Sequence, residues 1–280
     1  MRTLMTGLAF PEGPRWHEDR FWFSDMHADE VISVDPTGGD RRVEAVVDHQ
    51  PSGLGWLPDG RLLIVSMTDR RVLRREADGR LVEHANLWAL APFHCNDAVV
   101  DAHGRMYVGN FGFDLHGNNP LATTTNLIVV EPDGKARVAA EDLAFPNGTV
   151  ISPDGATLIV GESGAGRLTA FAIDANGDLS HRRVWAQLPE GCVPDGICLD
   201  ASGAIWSACP RCNRVLRVAE GGTILDDRQV AEGDQAYACM LGGTTLYVCA
   251  ASSSRREECR DTRSGSIVVF DVAVAGAGRP

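Results

Sequence analysis

Four polar residues stand in closely similar settings: Glu12 in Phe10-Pro11-Glu12-Gly13, Asn96 in His94-Cys95-Asn96-Asp97, Asn147 in Phe145-Pro146-Asn147-Gly148 and Asp195 in Val193-Pro194-Asp195-Gly196. Each precedes a stretch that reads as a strand, such as Thr149-Val150-Ile151 or Ile197-Cys198-Leu199. Asn and Asp between Pro and Gly are common turn residues, so any one of these taken singly reads as a plain turn. Set at matched places in a repeated unit, the four would converge. Two carboxylates and two amide oxygens in one place repel or go unpaired unless something bridges them. One divalent cation does so, and an all-oxygen ligand set favours a hard ion, Ca²⁺ first, with Mg²⁺, Mn²⁺ and Zn²⁺ as alternatives. Such a site suits hydrolysis: the ion polarises a carbonyl and acidifies water while a carboxylate moves the proton. Asp195 is the candidate base, using an oxygen not committed to the metal.

An internal repeat supplies the elements that would bring these residues together. A polar turn followed by an apolar strand recurs at Asp19-Arg20-Phe21-Trp22, Asp59-Gly60-Arg61-Leu62, His103-Gly104-Arg105-Met106, Asp154-Gly155-Ala156-Thr157, Ser202-Gly203-Ala204-Ile205 and Gly242-Gly243-Thr244-Thr245. The spacing of roughly 40 to 50 residues is that of a four-stranded propeller blade. A second alternating segment follows in every copy, as in Val31–Val34, Arg71–Arg74 and Leu127–Val130. No long helical stripe intervenes, which argues against βαβ units. The sequence therefore predicts an all-β fold, one six-bladed β-propeller domain over residues 1–280, with chemistry at one mouth of the central channel.

Composition narrows the partners. The 280 residues are 44% hydrophobic, enough for a sizeable core, and the net charge of −12 is spread along the chain, which disfavours nucleic acid and anionic membrane. There is no apolar run of about 18 residues, and the first residues lack a signal-peptide pattern, so the expectation is a soluble cytoplasmic protein. Its oligomeric state is not specified. The eight cysteines read as reduced thiols, and the lone C-x-x-C at Cys209–Cys212 as structural. No G-x-S-x-G elbow occurs; Ser163, in Gly161-Glu162-Ser163-Gly164, resembles one only loosely. His27 and His116 are secondary pocket candidates.

At these residues the chain resembles the senescence marker protein, gluconolactonase and luciferin-regenerating enzyme family. The matching motifs are Glu12-Gly13-Pro14, Asn96-Asp97 followed by Asp101 to Arg105, Asn147-Gly148, and Pro194 through Asp200. The resemblance runs through nearly the whole chain. It implies a six-bladed propeller, a metal held by Glu12, Asn147 and Asp195, Asn96 as a further ligand or substrate contact, and a hydrolase that opens small lactones to hydroxy acids. His94 departs from the pattern, because the sugar-lactonase members usually carry Arg there. Arg offers a fixed fork of donors that His cannot reproduce. Residues Gly109 to Asp114 fall where family members place further substrate contacts, which makes Asn110 and Asp114 candidates, and Phe111 and Phe113 suggest a more apolar pocket. Two other functions fit the same residues: a binding propeller whose metal only ties blades together, and a different metal-assisted hydrolysis, such as that of a phosphoester.

Overall fold

The computed structural model describes residues 1–117 and 123–278. Its strands form six four-stranded antiparallel sheets, the blades of a six-bladed propeller. The only α-helix among the described residues is the short Arg256–Thr262, and none is long and apolar enough to cross a membrane.

The six innermost strands are Pro11–His17, Pro51–Trp56, Cys95–Val100, Pro146–Ile151, Ile197–Leu199 and Gln235–Gly242. Each packs against the inner strands of both neighbouring blades, so they close a ring around the channel. The strand pairs recognised as repeats in the sequence are the second and third strands of the blades, for example Arg20–Asp25 and Glu30–Val34. Buried residues line both faces of these strands, because each sheet is covered by a blade on either side. Between the third and fourth blades, Val99, Tyr107, Leu127 and Val129 interlock with Ile151, Leu158, Val160 and Phe171.

The turns joining first and second strands lie at the end of the channel away from the four polar residues. Asp101 fixes one such turn, accepting backbone hydrogen bonds from His103 (2.8 Å) and Arg105 (2.9 Å). Gly104 there takes a left-handed conformation, at φ 84°, which suits glycine. The Arg105 side chain closes the motif with a 2.6 Å ion pair to Asp101. The Asp-x-x-Gly-Arg motif is thus a structural turn.

The sixth blade joins three strands from the end of the chain, Gln235–Gly242, Thr245–Ala251 and Gly265–Asp271, to Arg2–Leu8 from the start. Arg2 pairs with Val269 and Met5 with Ile267. The N-terminal strand covers the hydrogen-bonding edge that Gly265–Asp271 would otherwise expose.

Candidate functional site

Each inner strand begins at the same mouth of the channel, and its first residues line a cavity of about 710 Å³. Phe10 and Glu12 come from the first blade, Gln50 from the second, His94 and Asn96 from the third, Phe145 and Asn147 from the fourth, Val193 and Asp195 from the fifth, and Gln235 and Tyr237 from the sixth. The structure therefore brings Glu12, Asn96, Asn147 and Asp195 together, as the repeat implied. The sequence placed all four ahead of their strands; three lie inside them, and only Asp195 precedes its strand.

A β-bulge explains how strand residues turn into the channel. Pairing slips between Glu12 and Arg15, Cys95 and Ala98, and Pro146 and Thr149, and such a slip re-aims the side chain at the bulge. The glycine of the Pro-x-Gly motif has a second reason to be there. A Cβ on Gly148 would lie 2.4 Å from the Asp195 carbonyl oxygen and 2.5 Å from the Ile197 nitrogen, both backbone atoms of the next blade. Instead, Gly148 N–H donates to the Asp195 carbonyl (3.2 Å) and Gly196 N–H to that of Tyr237 (2.8 Å), which links three blades at the site.

The side chains are oriented by their neighbours. Ser163 Oγ donates to the Pro194 carbonyl (2.6 Å), so it must accept from Asn147 Nδ2 (3.2 Å). Asn147 Oδ1 therefore points the other way, available as a ligand. The same bonds commit the Ser163 proton and make this serine a positioning group. Glu12 keeps one oxygen on the Gly13 N–H (2.8 Å). Its pKa stands well above the usual carboxylate range, raised first by burial and then by the charge of Asp195. Asp195 retains some surface toward the cavity but lies deep among protein atoms; burial pushes its pKa up to about 8, against a hydrogen bond from Asn147 that lowers it. Below them Arg15 forms a buried 2.7 Å ion pair with Asp97.

The donor set fits a hard divalent cation. Were Glu12 and Asp195 both ionised beside the Arg15–Asp97 pair, the buried space would hold three negative charges and one positive, a net −2 that burial resists by raising both pKa values and that a divalent cation would balance. Among the described residues no three His, Cys, Asp or Glu side chains are arranged to hold a metal. A cation here would thus need the amide oxygens of Asn147 and Asn96 beside the two carboxylates.

His94 lines the cavity, stacked on Phe93 with centroids 4.1 Å apart, and burial lowers its pKa, favouring the neutral ring. Asn110 and Asp114 are not brought into the lining. Asn110 is fully buried; its Nδ2 donates to the Asn126 carbonyl (2.8 Å) and its Oδ1 accepts from Thr125 (2.6 Å), which anchors the strand behind Phe111. Asp114 is exposed and accepts from the His116 N–H (3.2 Å), while His116 itself reaches the cavity. His27 is a lining residue held by Gln50 (3.1 Å) and by the Ser254 carbonyl (3.1 Å). Since a carbonyl can only accept, His27 Nε2 carries the proton there. Cys212 does not pair with its C-x-x-C partner alone: its sulfur lies 2.8 Å from that of Cys192, on the segment leading to Asp195.

Sequence reasoning missed the sixth blade's contribution. Tyr237 carries no Pro-x-Gly signal, although Tyr237-Ala238 occupies the same bulge position, with pairing that slips between Ala236 and Ala238. Ser52 in Pro51-Ser52-Gly53 did carry that signal; it holds the equivalent place in the second blade, and its carbonyl accepts from Ser24 (2.7 Å).

Residues 10–252 match the SMP-30/Gluconolactonase/LRE-like region. The chain belongs to this family. It is 28% identical over 292 residues to pentonolactonase XacC of Haloferax volcanii, covering 100% of this chain and 96% of that one. It is 27% identical to 6-deoxy-6-sulfogluconolactonase of Pseudomonas putida, over 96% of this chain and 93% of the relative. In fold it is similar to regucalcin of Agrobacterium tumefaciens, described as a calcium-binding protein, with a TM-score of 0.81 at 22% identity, covering 100% of this chain and 96% of that one. Family membership accords with the blade count and with the motifs at Glu12, Asn96, Asn147 and Asp195.

Proposed function

We propose that this family member is a metal-dependent hydrolase of small lactones, with Glu12, Asn147 and Asp195 holding one divalent cation and Asn96 as a further ligand or a substrate contact. Ca²⁺ is the first choice, ahead of Zn²⁺, Mg²⁺ and Mn²⁺. The observation that carries this reading is the convergence of two carboxylates and two amides, drawn from four blades, on one cavity. Relatives named as lactonases support it.

When bound, such an ion supplies polarisation of a carbonyl oxygen and acidification of water. The chain's own residues handle the rest. Asp195 would take the proton of the attacking water through a carboxylate oxygen not committed to the ion. The acyl–oxygen bond then breaks, the ring oxygen receives that proton, and a hydroxy acid leaves. Asn96 Nδ2 and the N–H of neutral His94, both in the cavity lining, would donate to the oxyanion, a contribution of roughly 3 kcal/mol for each well-placed donor. Asn110 holds the cavity wall from behind.

The test is to strip the protein of metal, restore each ion in turn and follow acid release from sugar and aliphatic lactones, with Asp195→Ala and Glu12→Gln alongside. Metal-dependent turnover that vanishes in Asp195→Ala is the expected result. Metal binding without turnover of any lactone would favour the binding propeller instead.

A further inference from the structure

The wall above the polar residues is built for something other than a polyol. Phe111 and Phe145 meet with ring centroids 4.7 Å apart at 57°, and Phe113 meets Phe145 edge-on at 5.8 Å and 87°. All three line the cavity without being fully buried, so part of their apolar surface faces its interior. Leu188 and Val193 extend the same lining.

The backbone at Phe145 is a second, independent observation. Its φ is +56°, in the left-handed region, which bulky residues rarely occupy. The other ten non-glycine residues with positive φ among the described residues are all polar or charged. Phe145 also precedes a proline, which restricts its backbone further. Gln50, before Pro51 at the matching place in the second blade, makes the same twist and also reaches the cavity. The twist delivers a side chain to the mouth of the channel; in the fourth blade the chain uses it to deliver an aromatic ring.

Several polar groups of the lining are already engaged, Ser163 with the Pro194 carbonyl (2.6 Å) and Gln187 with that of Gly166 (2.8 Å). His94 offers one donor, and Arg256 Nη2 is engaged by both oxygens of Asp29, at 2.9 and 3.1 Å. Arg211 lines the cavity only from the exposed turn Pro210–Cys212. Hydroxyls pressed against the three phenylalanines would lose water without gaining partners.

On the basis of the lactone-hydrolase function above, we propose that the substrate is a hydrophobic lactone bearing an aryl arm. The ester group lies at Glu12, Asn96, Asn147 and Asp195, and the arm packs on Phe111, Phe113 and Phe145.

The experiment compares kcat/KM of the metal-restored full chain for γ-phenyl-γ-butyrolactone, γ-butyrolactone and D-glucono-1,5-lactone. The phenyl lactone is expected to exceed the unsubstituted ring by on the order of 30-fold, with gluconolactone slowest. In Phe145→Ala the ratio of phenyl to unsubstituted lactone is expected to collapse to a few-fold; being a ratio, it is insensitive to the amount of folded enzyme. Gluconolactone opened as fast as the phenyl lactone, or a ratio unchanged in Phe145→Ala, overturns the aryl arm and leaves the hydrolase function standing. If no lactone is turned over, the hydrolase function falls, and calorimetric titration with the same compounds decides the arm: tighter binding of the phenyl lactone than of gluconolactone supports it, and equal or weaker binding overturns it.

Discussion

Substituting Arg15 with Met is expected to destabilise the fold by about 5 kcal/mol. Arg15 lies beneath the candidate site, 2% exposed, and spans three blades. From the first blade its Nε donates to the Leu54 carbonyl of the second (3.1 Å), and its Nη2 reaches Asp97 Oδ1 (2.7 Å) and the Ala98 carbonyl of the third. Nη1 donates to the Pro14 carbonyl (2.6 Å). Methionine fills most of the volume but leaves Asp97 as a buried, unpaired charge, a loss of about 3–5 kcal/mol, and strips donors from carbonyls at about 1 kcal/mol each, partly recovered by relaxation. With a urea slope of about 3 kcal/mol per molar, the unfolding midpoint should fall by about 1.7 M. The double variant Arg15→Met with Asp97→Asn should recover roughly half of this, because the stranded charge is gone. Arg80→Met, which breaks only the exposed pair with Asp78, should leave the midpoint within error of the unmodified chain. A midpoint for Arg15→Met within about 0.5 M of the unmodified chain, or a double variant no more stable than the single one, would refute the idea that this pair clasps the blades.

His27 gives a pH-dependent prediction. Burial lowers its pKa from 6.5 to about 4. The folded state therefore favours the neutral ring, so its contribution is fully present above pH 6.5 and is lost as pH falls through about 4. The stability gap between the unmodified chain and His27→Gln should shrink by up to about 3 kcal/mol between pH 7 and pH 4; a gap constant in urea unfolding across that range would contradict it. Gly148→Ala should destabilise by about 3 kcal/mol or more, since its Cβ meets backbone, whereas Gly60→Ala, with nothing within 4 Å of the added carbon but a φ of 85°, should lose only about 1 kcal/mol. Equal effects of the two in chemical denaturation would show that the inner ring yields easily. Asn147→Ala and Glu12→Gln should each weaken metal binding by at least about 100-fold in calorimetry, since even outer contacts to a metal site typically change affinity by 10–100-fold; unchanged affinity would remove them from the ligand set. Ser163→Ala, which only frees Asn147 to rotate, should weaken it by about 10-fold, and no change would show that the hydrogen bond from Asn147 does not orient its amide.

The sequence alone determined the blade count, because a blade is a local unit: its turn chemistry at Asp101 or Asp154 and its period-two strands are written within 50 residues. It also determined that Glu12, Asn96, Asn147 and Asp195 meet at one cavity, since matched positions in a closed ring must face the same axis. The tertiary structure decided the rest. That Arg2–Leu8 completes the last blade rests on a pairing with Gly265–Asp271 across nearly the whole chain, which no local pattern encodes. Asn110 and Phe111 are adjacent in sequence, yet Asn110 is anchored behind the wall and Phe111 faces the cavity, because successive side chains at a strand end point to opposite sides. The bond from Ser163 to the Pro194 carbonyl, which sets Ser163 to orient Asn147, and the pairing of Arg15 with Asp97 are contacts between blades. They depend on how closely the inner strands approach, a distance set by glycines such as Gly148 and Gly196 and realised only when the ring closes.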